Sequence, residues 1–151
     1  MNRMKLLRRW AACMGLAALT VSLNASAIEV QGLQGFDQLF GRYAPAGDCR
    51  RQPQIVIDVV GMTFEVAGKE EVITNPEYAA AYGPHDYQGI SQWFFPFRSN
   101  DDFPILMTFN HGEEEGVLVI EGHGEGYPGG PPLSPRNAAL VNGSPYARCD
   151  P

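Results

Sequence analysis

The chain lacks any apolar run long enough to cross a lipid bilayer, which takes about 20 residues. Its most apolar stretch covers residues 11–23, where all but two residues are apolar or glycine. Basic residues and no acidic ones precede this stretch, and a small-residue cleavage pattern that ends at Ala27 follows it. These features are typical of a cleavable secretory signal peptide, residues 1–27. We therefore expect residues 28–151 to work in the periplasm or outside the cell, with no stable membrane anchor.

Basic residues are also scarce: the chain has 11 lysines and arginines against 17 aspartates and glutamates. Four of the basic residues and none of the acidic ones lie in the predicted signal peptide, so the mature chain carries a net charge of −10. Such a surface repels nucleic acids and anionic lipids and attracts basic proteins, peptides or cations. The same charge also serves solubility alone. We expect a basic protein as the partner, and no nucleic acid.

Cysteine is rare, with three residues in the whole chain. Cys13 lies in the predicted signal peptide, which leaves Cys49 and Cys149 in the mature chain. The two are far apart and lack the close C-x-x-C spacing of structural zinc sites. An oxidising compartment should pair them in a disulfide. The bond would tie both ends of a single domain, residues 28–151, together.

No catalytic signature stands out. The G-x-S-x-G pattern of serine hydrolases is absent. The best nucleophile that can be assembled is Ser91 with His85 and Asp86, and it has no recognisable context. We therefore expect no cofactor and no enzymatic activity. A small periplasmic hydrolase is an alternative, and it would need His85 or His123 beside carboxylates in a deep pocket.

A copper- or zinc-binding envelope protein is a further alternative. Residues two apart on a strand face the same way, so Glu121, His123 and Glu125 could converge, with His111 contributed from a neighbouring turn. Imidazole and carboxylate groups together suit zinc, copper or nickel. Polar, glycine-spaced strand ends are more often solvated edges, and we expect no metal.

Six segments rich in β-branched and aromatic residues predict β-strands. They are residues 54–60, 62–66, 70–74, 90–95, 104–109 and 116–121. Two other segments begin with a capping residue followed by proline, and they predict short helices over residues 75–82 and 134–141. We expect an α+β or mostly β fold, with a curved antiparallel sheet or small barrel of about six strands and two short helices.

Two segments are candidate binding surfaces. Residues 87–97 hold Trp93, the mature chain's only tryptophan, among phenylalanines and tyrosines. Such aromatic strands either fill a core or anchor a partner. Residues 142–146 form a glycine- and proline-bearing turn shortly before Cys149. Held by the helix and the predicted disulfide, this turn is expected to be rigid and to project Tyr146 outward, with little entropy to lose on binding.

The turn reads Asn142-Gly143-Ser144-Pro145-Tyr146. In its glycine and tyrosine it resembles the S-G-x-x-Y loop of the periplasmic lysozyme inhibitors, with Asn142 at the position of the serine. The chain is also similar to that family in size, predicted export, acidity and cysteine pair. The resemblance implies a small β-rich domain that inserts a loop into the cleft of a peptidoglycan-cleaving enzyme. The expected contacts are Asn142, Gly143, Ser144 and Tyr146, with Trp93 on a secondary surface.

Overall fold

The structure is a computed structural model that describes residues 27–80, 89–98, 103–123 and 132–149. The predicted signal peptide, except for Ala27, lies outside these ranges. The strands that they contain are β1 (Ile28–Glu29), β2 (Gly41–Pro45), β3 (Gln54–Ile57), β4 (Met62–Val66), β5 (Lys69–Ile73), β6 (Glu77–Ala80), β7 (Gln92–Phe95), β8 (Ile105–Phe109), β9 (Val117–Gly122) and β10 (Tyr146–Cys149). Helix α1 (Pro135–Gly143) precedes β10, and short 3-10 turns cover Asp37–Leu39 and His111–Glu113. None of the helices in the described ranges has the length and apolar character that crossing a bilayer requires.

All ten strands form one antiparallel sheet, in the order β1-β6-β7-β8-β9-β10-β2-β3-β4-β5. β5 and β6 lie toward opposite ends of this order, yet only residues 74–76 separate them along the chain. Four residue steps span at most about 14 Å, so the two ends of the sheet must approach each other, and the sheet curls into a half-barrel. The backbone N–H groups of Val30 and Gly32 donate to the carbonyl oxygens of Pro76 (3.0 Å) and Thr74 (2.7 Å) at this corner.

The concave face of the half-barrel holds the hydrophobic core. Side chains alternate between the two faces of a strand, and the inward ones are apolar. Those at most 1% exposed include Tyr43, Ile55, Ile57, Met62, Phe64, Phe94, Ile105, Met107, Phe109, Leu118 and Ile120. Helix α1 packs against β4 and β9, which are four positions apart in the sheet, and adds Leu140 to the core. The helix therefore crosses the concave face.

The predicted helix at residues 134–141 is confirmed as α1. Ser134 is its N-cap residue, and the Ser134 side-chain oxygen accepts a hydrogen bond from the Asn137 backbone N–H at 3.2 Å. Pro135 lies at the start of the helix, where its missing N–H leaves no helical bond unmade and its fixed φ favours the helix. This capping chemistry involves only neighbouring residues, which is why the sequence predicts it.

The other predicted helix, at residues 75–82, is wrong. Glu77–Ala80 form strand β6, which pairs with β1 on one side and β7 on the other. The last two residues of the segment lie outside the described ranges. Helix propensity favours one residue over another by less than about 1 kcal/mol, so contacts with distant parts of the chain override it. One example is the packing of Tyr78, whose ring centroid lies 5.1 Å from that of Phe36 and 5.2 Å from that of Phe94.

The mostly β fold with a curved antiparallel sheet is confirmed, but the sheet has ten strands rather than six. The six predicted strands correspond to β3, β4, β5, β7, β8 and β9, with ends that differ by up to three residues. β3 is the most shortened, because Val59 and Val60 are exposed in a turn rather than buried. In this turn Asp58 Oδ1 accepts the backbone N–H groups of Val60 (2.8 Å) and Gly61 (3.2 Å).

Four strands were not predicted: β1, β2, β6 and β10. Their sequences contain glycine, proline, alanine or charged residues, which have low strand propensity. β2 and β10 pair with each other although about 100 residues separate them along the chain. Pairing of this kind depends on the whole chain, and local sequence patterns do not report it.

Cys49 and Cys149 form the predicted disulfide. Cys49 follows β2 and Cys149 ends β10, where it lies opposite Arg42 of β2. The bond therefore reinforces a pair of strands that already exchange backbone hydrogen bonds. A disulfide is compatible with an extracellular compartment.

Candidate binding surface

Asn142 and Gly143 are the last two residues of α1, and Ser144 and Pro145 connect the helix to β10. We call residues 142–145 the turn; it is held from two sides. The Ser144 backbone N–H donates to the Val141 carbonyl oxygen at 3.2 Å. The Ser144 side-chain oxygen accepts the Ile120 backbone N–H at 2.9 Å. The first bond ties the turn to the helix and the second ties it to β9, while the disulfide at Cys149 follows closely. Ser144 is therefore hydrogen-bonded both to α1 and to β9.

The Tyr146 side chain does not project outward, and that expectation is wrong. Tyr146 is 1% exposed and lies on the concave face opposite Leu118, and its hydroxyl donates to the Leu140 carbonyl oxygen at 2.7 Å. Burial raises the pKa of this hydroxyl. Gly143 lies directly over it: a Cβ there would overlap with the hydroxyl and approach Pro53 Cδ to 3.2 Å. The G-x-x-Y pattern thus packs the turn against the core.

The solvent-facing part of the turn consists of its other residues. Asn142 and Pro145 are exposed, while Gly143 and Ser144 are half-buried. The Asn142 amide offers both hydrogen-bond donors and an acceptor to a partner. Among the four contacts predicted in this turn, Asn142 is the one whose side chain is free to meet another molecule. The binding role of the turn stays a prediction.

Trp93 lies on the convex face of β7, because its neighbour Phe94 is fully buried on the concave face. The register sets Trp93 opposite Thr108 of β8, which in turn lies opposite Val119 of β9. Neighbouring strands are about 4.8 Å apart, so Trp93 and Val119 are separated by about 10 Å in one row. Val119 is next to Ile120, whose backbone N–H donates to the Ser144 side chain in the turn. Trp93 therefore lies on the convex face, whereas the turn at 142–145 ends a helix that crosses the concave face.

A cluster of rings continues the convex face beside Trp93. The Phe95 ring centroid lies 4.9 Å from that of Phe103 and 5.1 Å from that of His123. The guanidinium of Arg98 lies 6.0 Å from the Phe103 ring centroid. We call Trp93, Phe95, Phe103 and His123 the convex aromatic surface. All four are half-buried, so they support one another and still present part of each ring to solvent.

Two of the candidate metal ligands, His111 and His123, lie far apart. The Pro104 carbonyl oxygen accepts the backbone N–H of His123 at 3.0 Å, whereas His111 follows the opposite end of β8. At about 3.3 Å per residue the two histidines are about 20 Å apart, so pairing His111 with His123 on one ion is wrong. Glu121 is exposed, and Glu125 lies outside the described ranges. Within those ranges no three His, Cys, Asp or Glu residues are grouped closely enough to hold a metal ion.

The residues suggested for a hydrolase are only partly described. Ser91 is 8% exposed, and its hydroxyl donates a hydrogen bond to the Asn110 carbonyl oxygen at 2.7 Å. A hydroxyl committed in this way serves to hold two segments together. His123 packs its ring against Phe95 on the convex face. His85 and Asp86 lie outside the described ranges, so the hydrolase alternative stays a hypothesis.

The sequence did not predict a groove between the β4–β5 hairpin and the first turns of α1, which we call the α1–β5 groove. It encloses about 440 Å³, a volume within the range of ligand pockets. Phe64 and Val66 supply its apolar floor. Its walls are Lys69, Glu70 and Glu71 from β5 and Pro135, Arg136 and Ala139 from α1. The small side chain of Ala139 leaves room on the helix side, but only the packing of α1 on the sheet places it there.

Arg136 links the two ends of the sheet beside this groove. Its guanidinium binds the Glu71 carboxylate of β5 and lies 3.5 Å from the centroid of the Phe97 ring. Phe97 follows β7, and its ring centroid lies 4.8 Å from that of Phe64 in β4. A guanidinium is planar and can stack on a ring while it binds a carboxylate. The cluster therefore fastens β4, β5, β7 and α1 to one another.

Many basic side chains of the described residues are already neutralised within the chain. The ion pairs are Arg42–Glu65 (3.0 Å), Arg50–Asp48 (3.0 Å), Arg98–Glu77 (3.4 Å) and Arg136–Glu71. Exposed acidic residues that form no ion pair with another described residue are Glu29, Asp37, Asp58, Glu70, Glu114, Glu115 and Glu121. An approaching molecule therefore meets surplus negative charge.

Comparison of the chain with protein-family models, with curated proteins and with solved structures found no match. The resemblance of the 142–146 turn to the lysozyme-inhibitor loop stays a prediction. A functional hypothesis for this protein therefore rests on the geometry and charges of the described residues.

Proposed function

We propose that this chain is an exported, acidic binding protein for a basic protein partner, and that it inhibits, or protects against, a basic peptidoglycan-targeting enzyme. The observation that carries the proposal is the turn at residues 142–145. It is bonded to α1 and to β9 and yet exposes Asn142 and Pro145. A turn held in this way loses little conformational entropy when it enters a cleft.

The charge of the surface supports a basic partner. Exposed glutamates such as Glu114, Glu115 and Glu121 have no ion-pair partner among the described residues. Opposite net charges accelerate encounter at low ionic strength and disfavour acidic competitors. Lysozymes, the targets of the family that this turn resembles, are typically strongly basic.

Within the turn, Asn142, Gly143 and Ser144 are the proposed contacts. Tyr146 supports them from below, because it is buried and bonded to Leu140. The convex aromatic surface, on the face of the sheet opposite to α1, offers Trp93 as a secondary contact. Tryptophan is favoured at such positions because it buries a large area with few rotatable bonds.

Export is part of the proposal. The basic, apolar and small-residue pattern of residues 1–27 and the Cys49–Cys149 disulfide both fit an oxidising compartment. The protein recovered from the periplasm should then begin at Ile28. A mass measurement of that protein checks the cleavage site, and an uncleaved chain would contradict it.

The test of the inhibitor hypothesis is an assay of the purified, exported protein against a panel of lysozymes of different classes. We expect inhibition of at least one basic lysozyme, weakened at least tenfold by Asn142→Lys, which adds bulk and positive charge at the proposed contact. The matched control is Asn75→Lys, the same change at an exposed asparagine in the β5–β6 corner. Absence of inhibition at micromolar concentration across the panel would refute the proposal.

A further inference from the structure

β5 lies at the end of the sheet, and no described strand pairs with its outer edge. The β4–β5 hairpin turns through Ala67 and Gly68, both with positive φ. In such a two-residue hairpin the residues that flank the turn exchange both backbone hydrogen bonds, and bonded and non-bonded pairs then alternate along the strands. Counting along the register, the N–H and C=O groups of Glu70 and Val72 point away from β4. These two residues offer an unpaired strand edge.

The α1–β5 groove lies beside the same edge, because β5 forms one of its walls. A strand added to β5 would direct alternate side chains toward the concave side, where Phe64 and Val66 form the groove floor. Its remaining side chains would lie on the outer side beside Val72, which is 47% exposed. Backbone bonds and a side-chain pocket thus occur together, which is the arrangement that proteins use to bind peptides by strand addition.

The charge of β5 favours one kind of occupant. Glu70 is exposed, lies on the convex face opposite Glu65, and forms no ion pair with another described residue. Glu71, on the groove side, is already paired with Arg136. Antiparallel pairing with β5 of a second copy would bring glutamates of the two chains close together, and like charges across strands are destabilising. A basic side chain on the convex side of an added strand would meet Glu70 with opposite charge, in a protein whose described surface carries surplus negative charge. Charged side chains also protect a strand edge from aggregation, but that protection does not require an apolar groove beside it.

We infer that β5 and the α1–β5 groove form a second binding site, which takes an extended, basic peptide segment of a partner as an added strand. The backbone groups of Glu70 and Val72 bind the segment's main chain. An apolar side chain of the segment enters the groove, and basic side chains at alternate positions lie on the convex side and face Glu70. This site is separate from the 142–145 turn, and its occupation requires no lysozyme.

The probe is a fluorescently labelled heptapeptide, Lys-Val-Thr-Leu-Lys-Val-Thr, with blocked ends. Fluorescence anisotropy with the purified protein should show saturable binding at peptide concentrations up to about 1 mM. Two further peptides carry N-methyl groups on either the odd-numbered or the even-numbered backbone nitrogens. One set of N–H groups points toward β5 and the other away from it, so only one of these peptides should lose affinity, by at least tenfold.

Two pairs of protein variants test the same site. Val72→Pro removes an outward N–H, and proline is tolerated on the free side of an edge strand, whereas Val72→Thr keeps the N–H. Ala139→Leu fills the groove, whereas Ala139→Ser leaves it open. The first member of each pair should weaken peptide binding at least tenfold, and the second should change it less than twofold. Urea unfolding of each variant shows that the comparison is between folded proteins.

Loss of affinity for only one N-methylated peptide supports the inference whether or not a variant folds. No binding of the unmodified peptide would overturn it. Equal affinity for both N-methylated peptides, or binding unaffected by Val72→Pro and Ala139→Leu in folded protein, would also overturn it. Sedimentation should show a monomer, and a dimer abolished by Val72→Pro would assign the edge to a second copy instead.

Discussion

The Tyr146 hydroxyl lies directly beneath Gly143, where a Cβ atom would overlap with it. The same hydroxyl donates to the carbonyl oxygen of Leu140, one of the carbonyls that the end of α1 leaves without a helical partner. Gly143 does not have a positive φ, so available space rather than backbone conformation requires glycine here. The glycine and tyrosine of the G-x-x-Y pattern therefore join the end of α1 to β10, and the exposed Asn142 is left to make contacts.

Gly143→Ala is expected to lower the free energy of unfolding by about 1–3 kcal/mol, the usual cost of forcing a methyl group into a packed site. Tyr146→Phe is expected to cost about 1–3 kcal/mol, because it leaves the Leu140 carbonyl oxygen buried without its donor. Urea unfolding at neutral pH measures both values. Asn142→Ala is the control, and as an exposed substitution it should stay within about 0.5 kcal/mol of wild type.

The double variant Gly143→Ala with Tyr146→Phe tests the direct contact. Removing the hydroxyl relieves the closest overlap with the new methyl group, so the double variant should lose less stability than the two single losses combined. Strict additivity of the two losses would contradict the packing of Gly143 on Tyr146.

Alkaline pH should destabilise the protein through its buried tyrosines. Burial raises the pKa of Tyr146 and of Tyr43 above the ordinary value of about 10. The unfolded chain then releases these protons at a lower pH than the folded chain does. Stability is fully present below about pH 10 and falls above it, by up to about 1.4 kcal/mol per pH unit for each tyrosine. Urea unfolding between pH 8 and the alkaline limit measures this slope.

The control for the alkaline slope is Tyr146→Phe, which removes one of the two titrating groups. Its stability should fall less steeply than that of wild type above about pH 10. Equal slopes in the two proteins would mean that Tyr146 does not contribute.

Replacing both Cys49 and Cys149 by serine should lower the free energy of unfolding by as much as about 4–5 kcal/mol. The disulfide joins positions 100 residues apart and so restricts the unfolded chain strongly. The β2–β10 pairing does not depend on the sulfur atoms, so the folded protein should keep its β-rich circular dichroism spectrum. Urea unfolding of the variant and of reduced wild type checks the value, and unchanged stability in both would refute it.

Arg136→Lys should destabilise the protein by about 1 kcal/mol, and Glu71→Gln by less. Lysine retains the charge but cannot stack a planar group on Phe97 or reproduce the Arg136 Nε–H bond to Asn137 Oδ1 at 2.9 Å. The Glu71 pairing is partly exposed, and such ion pairs contribute little. Urea unfolding of both variants compares the two contributions. A larger loss in Glu71→Gln would mean that the ion pair, rather than the ring stacking, fastens this cluster.

The two predicted helices, one confirmed and one wrong, show where sequence reasoning about this fold succeeds and where it fails. Both begin with a capping residue followed by proline, at Asn75 and at Ser134. Only the second forms a helix, because its side chains pack across the concave face, whereas Glu77–Ala80 lie between β1 and β7 and complete the sheet. A cap and a proline permit a helix, and the neighbouring strands decide whether one forms.

The candidate surfaces were predictable to a different degree. Strand alternation puts Trp93 and Phe94 on opposite faces of β7, and Phe94 is the one that is fully buried. The burial of Tyr146 and the α1–β5 groove were not predicted, since both depend on where α1 crosses the sheet. The ion pair of Arg136 with Glu71 joins residues 65 positions apart, and no pattern in the sequence connects them.

The sequence by itself determined six of the ten strands, the capped helix α1, the pairing of two cysteines and the excess of acidic charge. These follow from local alternation, from capping chemistry and from residue counts. Only the tertiary structure decided that β2 and β10 pair, that Glu77–Ala80 form a strand, that Tyr146 faces inward and that a groove opens beside β5. Each of these depends on the curvature that brings both ends of the sheet to the corner at residues 74–76, and curvature is a property of all ten strands together.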